Sequence, residues 1–329
     1  MQHATTVTPA PSGTACHFDV EPGTYDVEVR LGGGAAGSTR VGGGARRALL
    51  PETVTAPGER VTRCFTVNVR DPEGEPARPD DGGAGATGSD GGPGLNLHVG
   101  GSDPAPAGIR VSPAGRTLQV FLVGDSTVCD QARAPYTGWG QQLPQHFHRG
   151  LSVANYASSG ESTVSYLENP LLFATVLGLM REDDLVLVQL AHNDKTTGAT
   201  TYRANLEALV DGVRRRGGRP VLVTPVVRHA FGPDGTLDND TALLVNALGV
   251  DHPGVIRSVA AAHGVPLIDL TAASRAVVES WGAELSRSLY LCDEEQDHTH
   301  TSEQGATVYA DLVRAELLAL GLVPPHLFR

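Results

Sequence analysis

Four short polar segments of the 329-residue chain carry side chains able to do chemistry. Gly124-Asp125-Ser126-Thr127 directly follows the apolar run Leu118–Val123 (LQVFLV). A serine just past a strand is exposed to a crevice, and the Gly before it permits a tight turn. If a helix begins there, its first N–H groups face incoming negative charge; the same Asp, Ser and Thr serve equally as ordinary helix caps. The second segment, Asn155–Ser162 (NYASSGES), holds Gly160, whose bare backbone can approach a ligand. The third, His192-Asn193-Asp194, follows Asp184–Leu190 (DLVLVQL). Asn193 has two N–H donors suited to an oxyanion, and fits an Asx turn as well. In the fourth, Asp297-His298-Thr299-His300, an Asp three residues before a His can orient the imidazole from within one turn and fix its tautomer. The same stretch also reads as a metal site, with Asp297, His298, His300, Cys292 or His192 as ligands, or as plain solvated polarity.

These segments gain meaning from the elements that must position them. From Arg116 onward, short apolar runs alternate with helical periodicity. Leu118–Val123, Leu151–Ala154, Asp184–Leu190, Pro220–Thr224 and Val265–Asp269 read as strands apolar on both faces, as in a parallel sheet covered by helices. Leu206, Leu209, Val210 and Val213 fall on one helical face within Tyr202–Arg215, and Ala306, Tyr309, Ala310, Val313 and Leu317 do so within Ser302–Leu320. Five strands with helical crossovers predict a doubly wound α/β domain whose ligands gather beyond the strands' C-terminal ends. A nucleophile, oxyanion donors and an Asp–His pair then share one rim, the inventory for acyl transfer by a serine hydrolase.

The first ~110 residues follow a period of two instead. In Tyr25–Leu31, Val27, Val29 and Leu31 alternate with Asp26, Glu28 and Arg30. In Arg63–Arg70, Phe65, Val67 and Val69 oppose Cys64, Thr66, Asn68 and Arg70. With Gly- and Pro-rich turns between them, these strands predict a small antiparallel sandwich or barrel. Residues 71–94 hold eight Gly and four Pro, a composition that cannot offset its ordering entropy by burial and predicts a mobile loop within that domain. The domains expected are therefore 1–112 and 116–329.

The net charge of −12 argues against nucleic-acid or anionic-membrane partners, whose affinity rests on basic clusters. No apolar run approaches the ~20 residues of a membrane helix, and Met1–Gly13 shows no secretory signal. A cytoplasmic location is expected, in which Cys16 and Cys64, even if on paired strands, stay thiols.

The four segments together resemble the signature blocks of the SGNH (GDSL-type) hydrolases. More narrowly, VFLVGDSTVCDQ, YTGWGQQL, NYASSGES, HNDK and DHTHTSEQGA are similar to the rhamnogalacturonan acetylesterases, bacterial carbohydrate esterases of acetylated pectin. The likeness runs from about Thr117 to Leu320. FDVEPGTYDVEVRLG and RCFTVNVR resemble the β-sandwich that precedes the esterase in two-domain bacterial members. The resemblance implies a flavodoxin-like three-layer fold, Ser126 as nucleophile, His300 as general base and Asp297 as its orienting acid. It implies an oxyanion hole of the Ser126 and Gly160 N–H groups and the Asn193 side chain, with no metal and no organic cofactor. Two positions depart from the pattern: Ala191 stands where relatives carry Gly, and Glu161 where many carry Arg.

Trp139, His192 and Arg228 are candidate substrate contacts. Trp139 could stack on a sugar or sit in the core, and Arg228 suits a uronate carboxylate or a structural ion pair. The substrate expected is an acetylated oligosaccharide of rhamnogalacturonan or pectin. The competing readings are an SGNH esterase or lipase on another acyl substrate, such as acetylated xylan, and a non-catalytic carbohydrate-binding protein.

Overall fold

A computed structural model describes residues 5–7, 14–70, 74–75 and 93–329. The expected loop 71–94 lies almost wholly outside the described residues. The N-terminal strands are β1 (Thr5–Val7), β2 (Thr14–Phe18), β3 (Gly23–Leu31), β4 (Gly37–Gly43), β5 (Arg47–Thr55), β6 (Val61–Val69), β7 (Leu95–Asp103) and β8 (Pro106–Pro113). They form two antiparallel four-stranded sheets, ordered β1-β8-β3-β6 and β2-β7-β4-β5. Val27, Val29, Phe65, Val67, Leu97 and Ile109 fill the core between them, as the period of two requires. Cys16 and Cys64 lie on β2 and β6, in different sheets rather than on paired strands, and all four cysteines are free.

One polar face does not behave as a solvent face. Thr66 and Arg70, opposite the core side of β6, are buried. The Thr66 hydroxyl accepts from the Gly150 N–H at 3.0 Å, and Arg70 reaches into the second half of the chain.

That half contains β9 (Leu118–Gly124), α1 (Trp139–Gln142), β10 (Leu151–Asn155), α2 (Thr163–Glu168), α3 (Phe173–Leu179), β11 (Leu185–Gln189), α4 (Ala199–Arg215), β12 (Arg219–Val223), α5 (His252–His263), β13 (Leu267–Ile268), α6 (Leu270–Leu285), β14 (Tyr290–Leu291), β15 (Asp297–Thr301) and α7 (Glu303–Ala319). The five strands β10-β9-β11-β12-β13 pair in parallel in that order. Alternate residues of one strand feed opposite cores. Val120 and Leu122 pack with Trp139, Val278 and Tyr309 beneath α1, α6 and α7. Phe121 and Val123 pack with Phe173, Leu206 and Ile256 beneath α3, α4 and α5. This is the doubly wound three-layer α/β fold, with the antiparallel sandwich N-terminal to it. Among the described residues no helix is long and apolar enough to cross a membrane.

Strand β9 sits between β10 and β11, where crossovers leave for opposite faces. That reversal opens the crevice in which such sheets bind ligands. The segments after β9, β10 and β11 all end there.

Candidate active site

Residues 125–129 do not start a helix, contrary to one reading of the sequence. They form a compact turn in which the Val128 and Cys129 N–H groups both donate to the Asp125 carbonyl at 3.0 Å. Asp125 is fully buried. Its Oδ1 accepts from the Thr127 N–H at 3.0 Å and hydroxyl at 2.8 Å, and its Oδ2 lies 3.2 Å from His192 Nδ1. Burial alone would raise the Asp125 pKa; the His192 ring and the Thr127 donors outweigh it and hold the carboxyl below its ordinary value. Gly138 and Gly140 let α1 press on the outside of this turn, because a Cβ at either would collide with the Cys129 or Val128 carbonyl. The Trp139 N–H then donates to the Thr127 carbonyl at 2.9 Å.

Ser126 is therefore held at the rim by a turn fixed from both sides. His300 Nε2 lies 2.8 Å from Ser126 Oγ, and His300 Nδ1 lies 2.6 Å from Asp297 Oδ2. Asp297 Oδ1 also accepts from the Thr299 and His300 N–H groups, at 2.8 and 2.9 Å. A carboxylate can only accept, so Nδ1 carries the imidazole proton and Nε2 presents its lone pair to the serine hydroxyl. Burial would raise the Asp297 pKa; donors from the His300 backbone, the His300 ring and Thr299 hold it down. The ionised form of the carboxyl is the one favoured.

The local backbone here differs from the simple turn expected. Asp297–Thr301 is a strand, in which residues three apart would face opposite sides. Its pairing with β14 slips, however: Tyr290 faces Thr301 while its neighbour Leu291 faces Asp297. The extra residues bulge, and the Asp297 side chain caps the bulge's own N–H groups. The irregularity brings Asp297 and His300 together.

Gly160 lies after β10 with φ of 79°, a left-handed conformation that glycine adopts at little cost. Among the described residues neither its N–H nor that of Ser126 donates to an acceptor. The two loops touch: Gln131 Nε2 donates to the Ser126 carbonyl at 3.0 Å and to Ser159 Oγ at 3.4 Å. Asn193 Nδ2 donates to the Glu161 carbonyl at 3.1 Å, which spends one of its two N–H donors and leaves one. Asp194 anchors the start of α2 by accepting from the Thr163 N–H at 2.9 Å and its hydroxyl at 2.6 Å. Glu161 points inward and accepts from Ser165 Oγ at 2.5 Å. It braces the loop rather than the open rim.

Two candidate substrate contacts are corrected. Trp139 is 1% exposed, and its Nε1–H donates to Gln189 Oε1 at 2.9 Å; a side chain locked in the core cannot stack on a sugar. His192 is buried, with Nδ1 on Asp125 and Nε2 3.1 Å from the Val226 carbonyl, so both ring nitrogens are spent inside the protein. Arg228 is partly exposed and lines a cleft with Lys195, Asn246 and His252; its Nη2 donates to the His192 carbonyl at 3.1 Å.

Other residues of the site escaped the sequence reading. The Tyr136 ring meets the His300 ring edge-on at 5.4 Å. Arg46, from the sandwich, holds Tyr136 by donating to its carbonyl at 2.8 Å. Arg70 donates to Asp130 Oδ2 at 2.7 Å and to the Asn155 carbonyl. Glu75 accepts from the Ser159 N–H at 2.8 Å and hydroxyl at 2.7 Å. These arginine and glutamate contacts span 60–90 positions of sequence, so no local pattern points to them.

A three-layer α/β domain with a serine, a histidine and an aspartate in hydrogen-bond sequence at its C-terminal rim defines the architecture of the serine ester hydrolases. The chain belongs to the GDSL-like Lipase/Acylhydrolase family, whose model matches residues 122–308. It is 35% identical over 223 residues to the rhamnogalacturonan acetylesterase RhgT of Bacillus subtilis, covering 63% of this chain and 92% of that one. It is 32% identical over 213 residues to YesY of the same organism, covering 62% and 94%. The solved structure of protein YXIM from Bacillus subtilis superposes with a TM-score of 0.56 at 22% identity. That overlap covers 96% of this chain and 80% of the other, and so takes in the sandwich as well as the parallel sheet.

Proposed function

We propose that this chain is a carbohydrate O-acetyl esterase that deacetylates rhamnogalacturonan oligosaccharides. The observation that carries the reading is the hydrogen-bond series Ser126–His300–Asp297, at 2.8 and 2.6 Å, with the correct imidazole tautomer fixed by an acceptor-only carboxylate. The substrate class is supported by the likeness to RhgT over nearly that protein's whole length.

In this scheme His300 Nε2 takes the Ser126 proton as Oγ attacks the acetyl carbonyl carbon. The carbonyl oxygen becomes an oxyanion that accepts from the Ser126 and Gly160 N–H groups and the remaining Asn193 N–H. Asp297 stabilises the imidazolium and keeps its orientation. His300 returns the proton to the departing sugar oxygen, leaving an acetyl-serine. Water, deprotonated by the same nitrogen, then releases acetate. Arg228, lining a cleft with Lys195, Asn246 and His252, offers a guanidinium to a substrate carboxylate. The domains fall at 1–112 and 116–329, with the sandwich gripping the nucleophile's turn through Arg46 and Arg70. Four free thiols suit a cytoplasmic setting.

Acetate release from acetylated rhamnogalacturonan oligosaccharides tests the reading, compared with acetylated xylan and longer p-nitrophenyl esters. Preference for the first supports it; preference for long acyl chains overturns it. Ser126→Ala should abolish turnover while leaving the circular dichroism spectrum unchanged, and wild-type turnover in that variant would end the serine-esterase reading.

A further inference from the structure

Behind the segment that carries Asp297 and His300 lies a second cluster that the ester chemistry does not use. His229, after β12, Cys292, after β14, and His298, on β15, each place one ligand atom within 4.8 Å of the others. His298 Nδ1 is 3.5 Å from Cys292 Sγ. A tetrahedral zinc with bonds of about 2.0–2.3 Å spaces its ligand atoms at roughly 3.3–3.8 Å. The sulfur–nitrogen edge thus already has the required length, and the His229 nitrogen needs to close by about 1.5 Å at most.

The surroundings prepare these groups for coordination. His229 Nε2 faces the Ala283 carbonyl at 3.0 Å and Ser286 Oγ at 3.1 Å. The Ser286 hydroxyl spends its own proton on the Gly282 carbonyl at 2.7 Å, so both neighbours act as acceptors. Nε2 therefore holds the ring proton, and Nδ1 is left as a bare lone pair. A histidine whose far nitrogen is fixed by a backbone carbonyl is the usual arrangement for a metal-binding imidazole. The His229 N–H also donates to the His298 carbonyl at 2.8 Å, which sets the spacing of the two histidines through the backbone. Cys292 and His229 are buried, whereas His298 is exposed and leaves a side open for entry and for a fourth, solvent ligand.

The alternative ligand sets weighed from sequence do not assemble. Asp297 and His300 are committed to each other, and His192 to Asp125 and Val226. We infer that His229, Cys292 and His298 form a three-ligand site for a thiophilic divalent cation of the zinc class, distinct from the Ser126–His300–Asp297 series. Two nitrogens and a sulfur select such ions over magnesium or calcium, which take oxygen donors. Occupancy would tie β14, β15 and the loop after β12 together, clamping the strand on which His300 sits.

Titrating the reduced, full-length protein with cobalt(II) tests this independently of any substrate. The expected result is one cobalt per chain, a thiolate-to-cobalt charge-transfer band in the near ultraviolet, and a raised melting temperature. Cys292→Ser should lose the band, and His298→Gln, at an exposed position, should weaken binding by about tenfold or more. Zinc should displace the cobalt and bleach the band. Absence of stoichiometric binding to the wild-type protein overturns the inference, as does a band that survives in both variants. If Cys292→Ser misfolds, His298→Gln decides alone: unchanged affinity refutes the site.

Discussion

Replacing Arg70 with Met removes one partner of an ion pair sealed between the sandwich and the nucleophile's turn. Asp130 is fully buried and Arg70 is 7% exposed. The Asp130 carboxylate accepts from Arg70 Nη2 at 2.7 Å and from Asn155 Nδ2 at 2.8 Å, with Arg47 Nε at 3.9 Å. Arg70 also donates to the Gly74 carbonyl at 2.6 Å and to the Asn155 carbonyl. Taking away one member of a buried pair leaves an uncompensated charge and typically costs about 3–5 kcal/mol. Asn155 and Arg47 remain beside the carboxylate, so the lower part of that range, about 3 kcal/mol, is expected. A domain with roughly 5–15 kcal/mol of stability survives this loss. Asp130 closes the turn that carries Ser126, so kcat should fall as well, by about tenfold for a displacement of a few tenths of an ångström, with KM nearly unchanged. Urea unfolding, followed by fluorescence and by residual esterase activity, measures both effects. The double variant Arg70→Met/Asp130→Leu should regain most of the lost stability, since an apolar pair of similar size has no charge to strand. A single variant within about 1 kcal/mol of wild type would refute the reasoning, as would a double variant less stable than the single.

Three further outcomes follow from the same geometry. Asn193→Ala removes one oxyanion donor and should lower kcat by about 10²–10³-fold with little change in melting temperature; a loss under tenfold would remove Asn193 from that role. His300→Ala should eliminate nearly all turnover on an acetyl ester, whereas His298→Ala should retain most of it. The reverse pattern would show that the base was assigned to the wrong histidine. Because the folded-state pKa of Asp297 lies below its unfolded value, its stabilising contribution is present above the unfolded value of about 3.9 and disappears as pH falls through the folded value. Melting temperature measured from pH 6 down to pH 3 should therefore fall more steeply for wild type than for Asp297→Asn; parallel curves would contradict the depressed carboxyl.

The sequence by itself determined the fold class and the polar inventory of the rim. The period of two in Tyr25–Leu31 and the apolar runs of β9 and β11 follow from which side chains must leave water, a local property of each strand. Ser126, Gly160 and Asn193 were legible because the ends of parallel strands converge on one edge, and Asp297 and His300 because an Asp three residues before a His can orient the imidazole. What remained hidden depends on contacts between distant parts of the chain. Trp139 looks like an available aromatic until α1 packs against β9 and β11 and Gln189 takes its N–H. His192 looks like a rim group until Asp125, 67 positions earlier, takes its Nδ1. Arg70 alternates as a solvent-facing residue, and only the docking of β6 beside β10 makes it a buried partner of Asp130. Asp297 and His300 are three apart in any conformation, but only the slipped pairing of β15 with β14 turns them toward each other and toward Ser126. Periodicity records how one segment partitions between water and core. It carries no term for which other segment arrives on its polar face, and that is the quantity tertiary packing decides.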